Sequence, residues 1–92
     1  MDSEQAQIIA LASLNWLIAN DDLRGIFLGS SGLSPEDLMA RAAEPELLGS
    51  VLDFILMDDS WVVSCCDSLG YPYENLQRAR MALPGGQQVH WT

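Results

Sequence analysis

The 92-residue sequence predicts an all-α fold, a compact bundle of five to six short helices built from two similar three-helix units. Ala and Leu dominate the composition, whereas aromatic residues make up only 8% of it and runs of Val, Ile and Thr are scarce. Helix start and stop signals are dense, and no segment alternates apolar and polar residues for long enough to be a strand. These observations favour helix over sheet along the whole chain.

The first predicted helix begins at Asp2 or Ser3, either of which can cap it, and runs to about Ala19. Its apolar residues are Ile8, Ile9, Leu11, Leu14, Trp16, Leu17 and Ile18. Because these positions cover most of the circumference, we expect this helix to be buried.

Two short helices are predicted next. The letters NDD at 20–22 supply an N-cap for a helix that runs to Leu28, where Gly29 suits the left-handed position after a helix end. Ser34 caps the third helix, and the proline that follows it fits the first helical turn. This third helix is expected to end at about Ala43.

Three further helices are predicted in the second half of the chain. Pro45 opens the fourth, and the paired acids at 58–59 cap the fifth, which Gly70 ends. The sixth runs from about Tyr73 to Leu83, where the letters LPGG stop it.

The first half of the chain resembles the second half at an offset of 38 residues. Residues 14–38 overlay residues 52–76 without a gap, and the helix breakers fall in the same places. The paired positions include Leu14 with Leu52, Trp16 with Phe54, Asp21 with Asp59, Gly32 with Gly70 and Leu38 with Leu76. This pattern predicts two similar units whose long apolar helices pack together at the centre; chance similarity among Leu-rich helices is the alternative.

The length predicts one domain, with residues 1–84 as the helical part and residues 85–92 as a C-terminal tail. The tail contains Trp91, and leaving a Trp exposed forgoes roughly 2–3 kcal/mol of apolar burial. We therefore expect the tail to pack on its own domain or on a second subunit, with insertion into another partner as the alternative.

The charge balance restricts the classes of partner. The chain contains 13 acidic residues and four basic ones, all Arg, so the net charge is −9. Such a chain repels phosphate backbones and anionic lipid surfaces, so we expect no nucleic-acid partner and no membrane partner. A basic protein partner stays open, but the better-supported interpretation is that the acidity keeps a small apolar protein soluble.

The sequence gives no sign of export or membrane insertion. It starts with acidic residues and no Lys or Arg, unlike a secretory signal. The longest uncharged run, 5–20, contains Gln, Ser and Asn and is shorter than the roughly 20 apolar residues that span a bilayer. A cytoplasmic location with reduced thiols is therefore expected.

Cys65 and Cys66 are predicted to belong to the core. Trp61, Cys65 and Leu69 form one row of the fifth helix, and Val62 and Cys66 form the next. A metal site needs more soft ligands at suitable spacing, and a disulfide between adjacent cysteines would distort the helix. We therefore expect no metal, no cofactor and no redox centre.

The paired acids at 21–22 and 58–59 are interpreted in the same structural way. Each pair could bind Mg²⁺ or act in acid–base catalysis, but each also begins a predicted helix, where carboxylates bind backbone N–H groups. The lone His has no catalytic partners at a recognisable spacing, and no phosphate-binding glycine motif occurs. No catalytic, cofactor-binding or metal-binding residue is therefore predicted.

Contact with a partner protein or with a second copy of the chain is the function that these observations favour. Aromatic residues and Arg are over-represented at such contacts. The candidate contact residues are Trp61, Tyr71, Tyr73, His90 and Trp91.

Three segments resemble a family of short bacterial proteins known as domain of unknown function 3572. They are VLDFILMDDSWVVSCCDSLG, RARMALPGG and the terminal HWT, and the resemblance extends over essentially the whole chain. One departure is GYPYEN at 70–75, where the family pattern more often reads Gly-Leu-Asp-Pro-Glu and where Pro72 here occupies the cap position. The resemblance implies an all-helical cytoplasmic bacterial protein, but it implies no activity and no site residues.

The leading hypothesis is that the chain is a non-enzymatic interaction or regulatory protein of the cytoplasm, with a homodimer as one option. An acidic decoy that covers the basic surface of a nucleic-acid-binding or other protein is the second hypothesis, since the carboxylates are numerous. A small enzyme or thiol-redox protein is the third.

Overall fold

The computed structural model describes residues 1–83, and this part of the chain contains six α-helices and no β-strand. The helices are α1 (Ser3–Ala19), α2 (Asp21–Ser31), α3 (Pro35–Ala40), α4 (Pro45–Leu56), α5 (Asp59–Leu69) and α6 (Asn75–Ala82). The predicted all-α bundle is confirmed.

Local capping explains where most of the helices begin and end. Four side chains accept a hydrogen bond from a backbone N–H of the first turn, as predicted: Asp2, Asn20, Ser34 and Asp58. Gly32 ends α2 and Gly70 ends α5, each in the left-handed region with φ of 75°. A residue with a Cβ is strained in that conformation, so glycine is suited to both positions.

The end of α2 differs from the prediction. Gly29 does not terminate the helix, which continues to Ser31 and is capped by Gly32. The hydroxyl of Ser30 donates a 3.2 Å hydrogen bond to the carbonyl of Phe27, so this polar side chain fits within a last helical turn.

The bounds of α3 and α6 also differ from the prediction. α3 ends at Ala40 rather than at Ala43. Pro45 is the first residue of α4, and a proline disfavours helical geometry in the residue before it, so Glu44 is extended and the preceding helix must stop earlier. α6 begins at Asn75, two residues after the predicted Tyr73.

α1 lies at the centre of the bundle and packs against α2, α4, α5 and α6. The expected contact between α1 and α4 is present, but α6 is the more extensive neighbour of α1. The prediction that α1 is buried nearly all round is wrong, because Ile8 is 60% exposed and Leu11 is exposed beside it. The neighbouring helices therefore cover only part of the circumference of α1.

The core contains apolar side chains from all six helices. Its fully or almost fully buried members include Leu14, Leu17, Leu38, Leu52, Ile55, Cys65 and Leu76. Within residues 1–83 one polar side chain, Ser13, is buried among them, and its hydroxyl donates a 2.8 Å hydrogen bond to the carbonyl of Ile9. This bond removes the cost of burying a hydroxyl without a partner.

The two predicted units agree most closely in their second helices and differ in the third. α2 and α5 each contain 11 residues, begin 38 residues apart and end at glycines in the same conformation. In contrast, α6 packs extensively against α1 and α4, whereas α3 makes few contacts with any other helix. The internal similarity therefore describes helix boundaries better than it describes packing.

Arg80 joins α6 to α4 through the side chain of Asp53 and lies close to Gly49. Its Nε lies 2.6 Å from a carboxylate oxygen of Asp53, and its guanidinium lies over Gly49. A Cβ atom at Gly49 would lie 2.8 Å from Nη1 of Arg80. The absence of a side chain at this position is what lets the guanidinium approach α4 so closely.

We expect Gly25→Ala to raise the free energy of unfolding by about 0.5–1 kcal/mol and Gly49→Ala to give no such gain. Alanine is the better helix former at both positions, and a Cβ at Gly25 meets no atom within 4 Å. At Gly49 the new methyl group would push the Arg80 guanidinium away from Asp53. Urea unfolding of both variants measures the difference, and equal stabilisation would contradict this role of Gly49.

Candidate interaction grooves on either side of helix α5

The thiols on α5 face the interior, as predicted. Cys65 and Cys66 are both free and fully buried. Burial raises the pKa of the Cys65 thiol to about 11, against a smaller opposing effect of a hydrogen bond with Ser13. Burial and the negative charges of Asp67 and Glu74 raise the pKa of Cys66. Both shifts disfavour the thiolate that nucleophilic or redox chemistry requires.

The carboxylates are distributed over the helix starts. Eleven of the 13 acidic residues occupy an N-cap or the first turn of a helix: Asp2, Glu4, Asp21, Asp22, Glu36, Asp37, Glu44, Glu46, Asp58, Asp59 and Glu74. The other two have side-chain partners, since Asp53 pairs with Arg80 and Asp67 accepts a hydrogen bond from Tyr73. Helix starts favour negative charge, so these positions explain the acidity structurally.

Within residues 1–83, no three His, Cys, Asp or Glu side chains are grouped closely enough to hold a metal ion. None of the six described helices has the length and hydrophobicity that crossing a bilayer requires.

A groove between α2 and α5 is lined by two tryptophans. We call it the Trp groove; its volume is about 300 Å³, and its lining residues are Trp16, Asn20, Asp22, Leu23, Ile26, Trp61 and Ser64. α2 and α5 both pack against α1 but make few contacts with each other, which leaves the groove open. Trp16 and Trp61 are half-buried, and Ile26 is 50% exposed.

Aromatic packing holds Trp61 in position. Its ring stacks on Phe54 with the centroids 4.9 Å apart and the planes inclined by 22°. Phe54 also contacts Phe27 edge to face, with the centroids 5.2 Å apart. Such ring pairs add stabilisation beyond the burial of their area, so one side of Trp61 is fixed against the core.

Equivalent helices of the two similar halves of the chain lie on either side of the Trp groove. Leu23 and Trp61 are equivalent at the offset of 38 residues, and so are Ile26 and Ser64. Corresponding faces of α2 and α5 therefore form its two walls.

A second groove lies on the opposite side of α5, next to α6. We call it the Tyr73 groove; its volume is about 390 Å³, and its lining residues are Leu56, Asp59, Val62, Val63, Tyr73, Glu74 and Gln77. The Tyr73 hydroxyl donates a 2.9 Å hydrogen bond to Asp67, and this bond and the charge of Asp67 raise the pKa of Tyr73. The side chain of Tyr73 is nonetheless exposed.

The structure does not gather the predicted contact residues into one site. Trp61 lines the Trp groove, Tyr73 lines the other groove, and Tyr71 is half-buried against the core. His90 and Trp91 lie outside the described residues, as does the tail at 85–92.

The sequence does not identify Trp16 and Ile26 as residues of a contact surface. Trp16 lies on α1, whose apolar residues predict burial nearly all round, and Ile26 belongs to the short helix α2. The overlay of the two halves contained a usable signal, because it aligned Leu23 and Ile26 with the wall residues of α5.

Comparison with known proteins gives a family but no characterised relative. A protein-family model described as "Protein of unknown function (DUF3572)" matches residues 3–86. No curated protein and no solved structure gives a significant match to the chain.

Proposed function

The chain belongs to the DUF3572 family of proteins of unknown function, and we propose that it is a non-enzymatic interaction protein of the bacterial cytoplasm that binds a regulatory partner through the Trp groove. One observation carries this proposal: two half-buried tryptophans, Trp16 and Trp61, line an open groove together with the half-exposed Ile26. Tryptophan is enriched among the few residues that supply most of the energy of a protein–protein contact.

The groove is suited to receive an apolar anchor. Stacking on Phe54 fixes Trp61 before any partner arrives, so little side-chain entropy would be lost on binding. An apolar side chain seated against Trp16, Trp61 and Ile26 would remove their exposed surfaces from water. The resulting stabilisation is about 25 cal/mol for each Å² of apolar surface buried.

The polar groups of the Trp groove support binding rather than catalysis. A hydroxyl nucleophile such as Ser64 needs an adjacent base that a third group holds in place. Among the described lining residues, Asp22 supplies one carboxylate and no histidine is present. The amide oxygen of Asn20 already accepts a 3.2 Å hydrogen bond from the N–H of Leu23.

The proposed partner segment presents an apolar side chain with a Lys or Arg close to it in sequence. Asp21 is already paired with Arg24 at 3.0 Å, whereas Asp22 lines the groove. The net charge of −9 also favours encounter with a positively charged partner.

The acidic decoy gains no specific support from the arrangement of the carboxylates. Their distribution over six helix starts follows from helix electrostatics, and it does not concentrate charge on one helix. That function stays a prediction.

The experiment that tests the proposed function places a photo-crosslinking amino acid at Ile26 in living cells, with Met39 as the matched control position. Met39 lies on α3, is 66% exposed and does not line the Trp groove. We expect a discrete crosslinked protein from position 26 and none from position 39. The crosslinked peptide should contain an apolar residue flanked by Lys or Arg.

Binding of the purified, identified partner is then measured for Ile26→Asp and Met39→Asp, which change the net charge equally. We expect Ile26→Asp to weaken binding by at least about tenfold and Met39→Asp to leave it nearly unchanged. Equal effects at the two positions, or a crosslink only to a second copy of the chain, would contradict the proposal.

A further inference from the structure

We infer that the Tyr73 groove is a second contact surface and that its occupant is a cationic amphipathic helix of another protein. This inference does not depend on the Trp groove, because α5 separates the two surfaces. Asp59, Val62 and Val63 line one side of α5, whereas Trp61 and Ser64 line the other.

The groove lies in a gap beside two neighbouring helices. α5 and α6 both pack against α1 and α4, but they make few contacts with each other. The gap between them has Asp59, Val62 and Val63 along one wall and Tyr73, Glu74 and Gln77 along the other. Two neighbouring helices that flank an unfilled gap form the kind of groove in which amphipathic helices bind.

The floor of the groove is apolar and accessible. Leu56, Val62, Val63 and Tyr73 contribute to its lining, and Val63 is 40% exposed.

The negative charges of the Tyr73 groove favour a positively charged partner. Asp59 and Glu74 belong to its lining, and no Arg is among the described lining residues. The carboxylate of Asp67 accepts the hydrogen bond from the Tyr73 hydroxyl. Burial and, to a smaller extent, the negative charges of Asp67 and Glu74 raise the pKa of the nearby Cys66, so both carboxylates act on this part of α5. A Lys or Arg could pair with these carboxylates and lie over the exposed ring of Tyr73.

The occupant is a different protein rather than a second copy of the chain. The chain contains no Lys, and three of its four Arg residues are in ion pairs with its own carboxylates: Arg24, Arg41 and Arg80. With Arg78 as its one other basic residue and a net charge of −9, a second copy would bring mainly like charge to the groove, which is destabilising.

The probe for this inference is a synthetic amphipathic helix of Leu and Lys, about 18 residues long and so about five turns. Its affinity for the intact chain is measured by calorimetry, and its position is mapped by amide chemical shifts in NMR spectra. We expect the largest shifts at Val63 and Gln77. Comparable shifts at Ile26 instead would place the peptide in the Trp groove and overturn the inference.

A pair of double variants separates specific binding from general attraction to an acidic protein. Asp59→Asn with Glu74→Gln removes two charges from the groove, and Asp37→Asn with Glu36→Gln removes two charges from the exposed first turn of α3. We expect the groove variant to raise Kd by at least about tenfold and the control variant by less than about twofold. Equal losses in the two variants would overturn the inference.

A substitution at Tyr73 tests the aromatic part of the groove. Tyr73→Ala is expected to weaken peptide binding severalfold, whereas Tyr73→Phe keeps the ring and most of the affinity. The ring is exposed, so the fold should persist in both variants. Unchanged binding by Tyr73→Ala would remove Tyr73 from the contact and overturn the inference.

Discussion

Cys65 and Cys66 are expected to react with a thiol reagent at least about 100-fold more slowly in the native protein than in the denatured chain, at about pH 8. Both thiols are fully buried, and the pKa of Cys65 is raised from its usual 9.0 to about 11. Two pKa units reduce the thiolate population about 100-fold in this pH range, and burial excludes the reagent as well. Absorbance-detected labelling with and without denaturant measures the ratio.

Ser68→Cys supplies the matched control for this labelling. Residue 68 lies on the same helix as the native thiols but is exposed, and serine and cysteine have nearly the same shape. The variant should show one fast thiol and two slow ones before unfolding. Two fast thiols in the unaltered native chain would contradict the assignment of both cysteines to the core and would reopen a redox function.

Leu52→Ala is expected to lower the free energy of unfolding by about 3 kcal/mol. Leu52 is fully buried on α4, and its truncation would leave a cavity in the core that α4 and α1 share. A domain of this size is stabilised by roughly 5–14 kcal/mol in total, so the loss is a large fraction. Thermal unfolding should show a decrease in Tm of roughly 12–24 °C.

Two further Leu→Ala variants calibrate this result. Leu14 is the equivalent of Leu52 in the first unit and is also buried, so Leu14→Ala should cost a similar amount. Leu11 is exposed on the same helix, and Leu11→Ala should change stability by less than about 0.5 kcal/mol. A loss at Leu11 as large as that at Leu52 would contradict the described packing of α1.

The helix boundaries could be predicted from sequence because they depend on neighbours in the chain. Asp2, Ser34 and Asp58 cap helices through hydrogen bonds that reach only two or three residues ahead. The exposed side of α1 could not be predicted in the same way. The apolar residues of α1 are distributed around most of its circumference. The exposure of Ile8 therefore depends on which sides of α1 the neighbouring helices cover.

The candidate grooves were predictable only in part for a related reason. Trp61 and Tyr73 were recognised as contact residues because their side chains are typical of interfaces. The two residues line different grooves because of gaps between helices that are distant in sequence. The Trp groove, for example, is a gap between α2 and α5. Capping and periodicity describe single helices and contain no information on such gaps.

The extensive contact between α1 and α6 has a consequence for the order in which the molecule folds. Residues 20–74 separate the two helices, so the largest contact of the central helix closes a long loop. During synthesis from the N-terminus, the part of α1 that α6 covers stays exposed until α6 has been made, although α2, α4 and α5 are available earlier. Despite their similar helix boundaries, the two halves are therefore not independent folding units, and an incomplete chain would be a substrate for chaperones.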